Sequence, residues 1–165
     1  MKKIVVLFGL SVISLFSSIS FSAVNLDPEE AAIMQKAEKI NQYFSKRKMP
    51  LAGYGLDFVI AAEENGLPWN LLPAIAVQES SGGKRDKNNN PFGWGSANIK
   101  FADYKEAISV VANKLATHKY YKDKSLSQKL WVYNPEKSYK KKIFKFMEKI
   151  KNENGLYRAN RMLAR

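Results

Sequence analysis

Glu79 stands at the end of the most apolar stretch that follows the N-terminal segment, Leu71-Leu72-Pro73-Ala74-Ile75-Ala76-Val77-Gln78-Glu79-Ser80-Ser81-Gly82-Gly83. Read as a helix, Leu72, Ile75, Ala76 and Glu79 fall at i, i+3, i+4 and i+7 and share one face. A carboxyl therefore occupies a position that the pattern reserves for the core. Gly82 and Gly83 stop the helix, which leaves Glu79 near the negative end of the helix dipole. Both surroundings disfavour the carboxylate, so the group keeps its proton more readily than a free glutamate. A carboxylic acid held neutral in this way is equipped to act as a general acid. The competing reading is a polar residue at a helix end, reaching back to solvent.

A two-carboxylate mechanism would need a partner acid at a defined separation. Asp86 falls in a polar, flexible stretch. Asp103 is more simply a helix cap and Glu106 its capping-box partner. None of the three stands out as a base. His118 is the only histidine, and cysteine is absent. No metal-ligand constellation results, so no metal or other cofactor is expected, and His118 is placed at the surface beside Lys119.

The elements that must position Glu79 read as mainly α-helical. Asp27 caps a first helix that has Pro28 in its first turn and runs to about residue 46, with Ile33, Ala37, Ile40 and Phe44 inward. A second helix is predicted from Leu56 to Asn65, with Leu56, Val59 and Ile60 inward and Gly66 as its stop. Asn70 can cap the Glu79 helix, with Pro73 tolerated in its first turn. Residues 82 to 102 look irregular, with Lys84 to Pro91 polar and helix-breaking. Ala97 to Phe101 is predicted as a short strand, which would allow one small β-hairpin. Asp103-Tyr104-Lys105-Glu106 opens a helix that turns Tyr104, Ala107, Ile108, Val111 and Leu115 inward. A short helix follows from Ser125 to Tyr133, stopped by Asn134-Pro135. The last spans Lys137 to Lys151, with Tyr139, Ile143, Phe146, Met147 and Ile150 inward.

Lys2-Lys3 followed by an apolar run from Ile4 to Phe16 and a small, polar Ser17 to Ala23 reads as a secretory leader over residues 1–22, cut after Ser22, with a cut after Ala23 or a retained signal anchor as the lesser alternatives. The apolar run is too short for a confident membrane span. Residues 23–151 then form one domain, first helix included. Residues 152–165 form a polar, basic tail, in which Leu156, Tyr157, Met162 and Leu163 are available to dock. The expected location is outside the cytoplasm, in the periplasm, the wall or beyond. Without cysteine, the domain must be held by its core. The formal net charge is +12, which suits an acidic partner such as wall polymer, anionic lipid or nucleic acid. The lysines from Lys137 to Lys151 form a basic face opposed only by Glu148. Nucleic acid is not expected, given the leader and the lack of a recognised binding motif.

Ala76-Val77-Gln78-Glu79-Ser80-Ser81-Gly82-Gly83-Lys84, followed by Asn89-Asn90-Pro91-Phe92-Gly93-Trp94, resembles the lysozyme-like superfamily. The pairing of a helix-end Glu-Ser with a downstream Asn-Pro-Phe-Gly is most similar to its bacterial glucosaminidase branch. Phe101 to Ile108, with Leu115 and Tyr120-Tyr121 after it, resembles that branch too. Tyr133-Asn134-Pro135 and Tyr139 look like the tyrosine-asparagine element and closing tyrosine of lytic transglycosylases. The resemblance spans roughly Leu67 to Ile150. It implies a single lysozyme-like domain, acting as a monomer, that cleaves β-1,4 bonds of the N-acetylglucosamine/N-acetylmuramic acid glycan of peptidoglycan. Glu79 would be its general acid. An endo-β-N-acetylglucosaminidase is favoured, with a lytic transglycosylase or a non-catalytic wall-binding protein as alternatives. Ser81-Gly82-Gly83 departs from the bulkier residues common after the Glu-Ser of glucosaminidases.

With that substrate class in view, Ser80, Asn90, Phe92, Trp94, Tyr121, Tyr133 and Tyr139 are candidate glycan-binding residues. Tyr133 could hold Glu79 or an N-acetyl group through its hydroxyl, or be a core tyrosine. Trp94 is the better sugar platform. Phe92 reads more simply as a plug beneath the loop, and Asn90 as a residue that holds the loop together. The basic face would retain the protein on the anionic wall.

Overall fold

The computed structural model describes residues 27–154. The expected leader and the four apolar residues named in the expected tail lie outside the described residues. Six helices make up the fold: α1 (Pro28–Lys46), α2 (Gly55–Glu64), α3 (Leu71–Ser80), α4 (Tyr104–Thr117), α5 (Leu126–Tyr133) and α6 (Tyr139–Lys151). It is a mainly α single domain. Among the described residues none is long and apolar enough to cross a membrane.

The first two helices form a tight pair. Asp27 accepts from the Glu29 N–H at 2.9 Å and Pro28 takes the first helical position, as its fixed φ and missing N–H suit. At the start of α2 the orphan amides are met from outside the helix: Asn41 Oδ1 on α1 accepts from Gly53 N at 3.0 Å and Gly55 N at 2.8 Å. The approach is so close that a Cβ on Gly55 would lie 2.2 Å from the Ala37 carbonyl oxygen. Only glycine fits. The inward face of α2 differs from the expected one. Val59 is buried, but so are Phe58, Ala61 and Ala62, while Leu56 and Ile60 are about two-fifths exposed at 40% and 41%. The small residues face inward, where α1 comes closest.

Helix α3 is the centre of the fold. Leu71 to Val77 are all buried, so the helix is enclosed on every side, and only Gln78 and Glu79 reach intermediate exposure. The apolar stripe read from the sequence is thus one part of a wholly buried cylinder. α6 packs along it, and α2 packs against it as well. Asn70 does not cap the helix. Its amide is buried and donates to the Met147 carbonyl of α6 at 2.9 Å, tying the two helices together. Fully enclosed side chains such as Phe44, Phe58, Leu72 and Ile75 each stabilise the fold by roughly 1.5–3 kcal/mol through removal from water.

Residues 82–103 contain no strand, so the expected strand at Ala97–Phe101 and its hairpin are not formed. Three consecutive asparagines do the work of a partner strand. The Asn88 side chain donates to the Ala97 carbonyl at 3.4 Å. Asn89 donates to the carbonyls of Phe101 at 3.1 Å and Ala102 at 2.9 Å. Asn90 donates to the carbonyls of Trp94 at 2.8 Å and Ile99 at 3.1 Å, and accepts from Trp94 N at 2.9 Å. Asn88 and Asn89 both adopt positive φ, which asparagine tolerates better than most residues.

α4 turns inward the face expected of it, with Ala107, Ile108, Val111 and Leu115 buried and Tyr104 partly so. α5 begins with a complete capping box between Ser125 and Gln128. α6 buries Tyr139, Ile143, Met147 and Ile150, with Phe146 packed partly buried beside them. Just beyond α6, Glu153 pairs with Lys46 at 2.6 Å and Arg47 at 3.1 Å, which ties this end of the chain to the end of α1.

Candidate active site

Ser81 ends α3 in the left-handed conformation at φ 55°, and the chain leaves abruptly through Gly82 and Gly83. Ser80 belongs to this terminus. Its hydroxyl donates to the Ala76 carbonyl at 3.0 Å and accepts from Gly83 N at 2.9 Å, so it closes the helix and is turned away from any ligand. The break leaves Glu79 at the mouth of a cavity of about 400 Å³. Its walls come from three stretches: Gly93, Trp94, Gly95 and Ser96; His118, Tyr120 and Tyr121; and Tyr133 and Asn134.

The carboxyl is held from one side. Tyr139, the first residue of α6, donates its hydroxyl hydrogen to Glu79 Oε1 at 2.7 Å. Oε2 faces Gly93, where a Cβ would sit 3.5 Å away. Gly93 has φ 62°, so a side chain there would be strained as well as pressed towards the carboxyl. Burial pushes the Glu79 carboxyl above its ordinary value of 4.5, and the Tyr139 hydrogen bond opposes that shift without cancelling it. With Oε1 accepting from Tyr139, the proton of the neutral acid belongs on Oε2, on the open side.

Around this carboxyl the aromatics form one connected layer. Tyr133 and Tyr139 stack with ring centres 6.0 Å apart and planes 11° from parallel. Trp94 lies 5.7 Å from Tyr133 and 5.8 Å from Tyr121. Tyr133 donates its hydroxyl hydrogen to the Phe92 carbonyl at 2.5 Å, so it fastens α5 to the loop rather than holding Glu79. Burial raises the phenols of Tyr121, Tyr133 and Tyr139, and the nearby Glu79 charge adds to the shift at the last two. These hydroxyls therefore remain neutral donors.

The remaining candidates divide cleanly. Trp94 and Tyr121 line the cavity. Phe92 is fully buried, with its ring 6.4 Å from Phe58, and Asn90 is buried at the centre of the loop network. Asp86 accepts from the Tyr104 hydroxyl at 3.1 Å, Asp103 caps α4 through Glu106 N at 2.8 Å, and Glu106 accepts from Ala102 N at 2.5 Å. None of these three carboxyls lines the cavity, where Glu79 is the single carboxyl among the described residues. Burial and the Asp86 contact together push the Tyr104 phenol up to about 12.

Ser96, His118 and Tyr120 also line the cavity, though none is a candidate from the sequence. His118 is partly exposed and joins the cavity wall because α4 ends there and the next turn folds back, with Tyr121 N and Lys122 N bonded to its carbonyl. Asn134, which the sequence marks as a helix stop and as part of the tyrosine-asparagine element, also faces the cavity. Lys129 fixes this wall. Its ammonium donates to the carbonyls of Leu115 and Tyr121, each at 2.7 Å. Among the described residues no group of three His, Asp or Glu side chains could hold a metal ion.

No protein-family model, curated protein or solved structure matches the chain.

Proposed function

We propose that the protein is an exported peptidoglycan glycosidase in which Glu79 is the general acid. The observation that carries this reading is a half-buried carboxyl raised by desolvation at the mouth of a cavity walled by Trp94, Tyr121 and Tyr133. Aromatic faces suit the apolar faces of pyranose rings, and a neutral carboxylic acid suits a leaving glycosidic oxygen. Glu79 Oε2 donates its proton to that oxygen as the C1–O bond breaks. Tyr139 then stabilises the carboxylate left behind through the bond to Oε1.

The resulting oxocarbenium-like sugar must be captured. Because Glu79 is, among the described residues, the one carboxyl lining the cavity, capture by the sugar's own N-acetyl or 6-hydroxyl group fits better than a two-carboxylate scheme. In the N-acetyl route the amide oxygen bonds to C1, and water then opens that ring and gives a proton back to the Glu79 carboxylate, the hydrolysis an endo-β-N-acetylglucosaminidase requires. In the 6-hydroxyl route that oxygen bonds to C1 and its proton returns to Glu79, which gives an anhydro sugar, the lytic transglycosylase outcome. The exposed lysines of α6 supply retention on an anionic wall, an attraction that salt would screen.

The test is mass spectrometry of products from purified glycan strands, with Glu79→Gln as the control. Wild-type cleavage that falls by roughly 10²- to 10⁴-fold in Glu79→Gln supports the reading. Cleavage at the wild-type rate by Glu79→Gln overturns it. Binding without cleavage by the wild type would leave a wall-binding protein on the same scaffold.

A further inference from the structure

The cavity at Glu79 does not end at Asn134. That residue also lines a second, smaller hollow with Ser127, Trp131, Glu136, Lys137 and Lys140. Trp131 is 56% exposed, although tryptophan is a residue that folding normally draws inward. It sits on the short, well-capped helix α5, which Lys129 and Tyr133 fasten to the body of the protein. The indole is thus presented on a fixed support, on a path that begins at the carboxyl.

The charges around it are unevenly paired. Glu136, the acid in this hollow, accepts from Lys142 at 3.2 Å and from the Ser138 hydroxyl. Among the described residues Lys137 and Lys140 make no ion pair. The hollow therefore offers an apolar face with two uncommitted cations beside it. A pyranose ring bearing a carboxylate presents the complement, C–H groups on one face and an anion at the edge.

We propose that Trp131, Lys137 and Lys140 form a distal subsite that takes a carboxylate-bearing sugar unit of a strand whose scissile bond lies at Glu79. The assignment rests on the glycosidase reading above and adds the strand's direction across the surface and its preferred substituent. Asn134 is the junction between the two subsites.

The test measures binding by the full chain carrying Glu79→Gln, so that no ligand is consumed. The probes are a disaccharide and a hexasaccharide of alternating N-acetylglucosamine and N-acetylmuramic acid, and the N-acetylglucosamine hexasaccharide, which lacks carboxylates. Adding Trp131→Ala should weaken both hexasaccharides by roughly tenfold, the loss expected for one aromatic contact, and leave the disaccharide within twofold. Trp131→Phe should recover part of that loss. Lys137→Gln with Lys140→Gln should weaken only the carboxylate-bearing hexasaccharide, by several-fold at low salt. A Trp131→Ala protein that binds both hexasaccharides as its parent does, or loses all three probes equally, overturns the subsite. Equal losses for the two hexasaccharides in the lysine variant overturn the carboxylate preference. A Glu79→Gln parent that binds none of the probes overturns the subsite and the glycosidase reading together.

Discussion

The Tyr139 hydroxyl and the Glu79 carboxyl are 60 positions apart in sequence and 2.7 Å apart in space. The bond joins the last turn of α3 to the first residue of α6, and it opposes the burial that raises the carboxyl. Tyr139→Phe removes the opposing influence, so burial acts alone and the carboxyl rises further. Activity that needs neutral Glu79 falls as pH increases through its pKa. That alkaline limb should move to higher pH in Tyr139→Phe, measured as kcat/KM against pH on soluble glycan fragments. A limb that stays in place or moves down would show that the hydroxyl does not set the proton affinity of Glu79.

Stability should respond to the same carboxyl. Because its pKa is raised in the folded state, Glu79 favours folding fully below its ordinary value of 4.5. The advantage is lost as pH rises through the raised folded value, above which the fold holds a partly buried anion. Glu79→Gln keeps the shape and an oxygen that accepts from Tyr139, and it carries no charge. The variant should therefore melt above wild type at pH 7, with the gap closing by about pH 4, where both side chains are neutral in folded and unfolded chains alike. A variant that melts below wild type at pH 7 would mean that the surroundings favour the anion.

Phe92 and Trp94 are two residues apart and should behave oppositely. Phe92 is wholly enclosed against Phe58, so Phe92→Ala should cost roughly 3–5 kcal/mol. Trp94 is a cavity wall, and Trp94→Ala should reduce glycan-fragment affinity more than it reduces the melting temperature. Melts and titrations on both variants decide this. Early melting with normal binding in Trp94→Ala would reverse the two assignments.

Asn90 holds three backbone groups at once, on Trp94 and Ile99. Asn90→Ala should destabilise by on the order of 3 kcal/mol, since buried polar groups lose their partners. It should also weaken glycan binding, because Trp94 is among the residues released. Asn88→Gly, which removes one long exposed bond of 3.4 Å and keeps the positive φ, should do neither to a comparable degree. Equal effects from the two would show that Asn90 does not hold the loop.

Local chemistry was legible where it acts locally. Asp27 and Asp103 could be read as caps because each bonds within three residues of itself. The inward face of α4 could be read because its apolar residues leave one choice. α2 offered two choices, since Leu56 and Ile60 are as apolar as Phe58 and Val59, and the close approach at Gly55 made the decision. Asn70 looks like a cap beside its own helix, but the carbonyl it serves lies 77 residues away. The same limit governed the site. Glu79 was visible from its odd position in an apolar run, and Trp94 and Tyr133 from their motifs. His118 carries no such mark, because only the turn after α4 brings it to the cavity.

The enclosure of α3 makes assembly of the core and assembly of the Glu79 site a single event. Leu71 to Val77 cannot be covered until the surrounding helices have closed, and that closure also sets Tyr139 against Glu79. An incompletely folded chain then has no raised acid and no cavity. Under the proposed reading, a wall-degrading protein would be harmless to the cell that makes it while in transit, and folding at the destination would serve as its activation step.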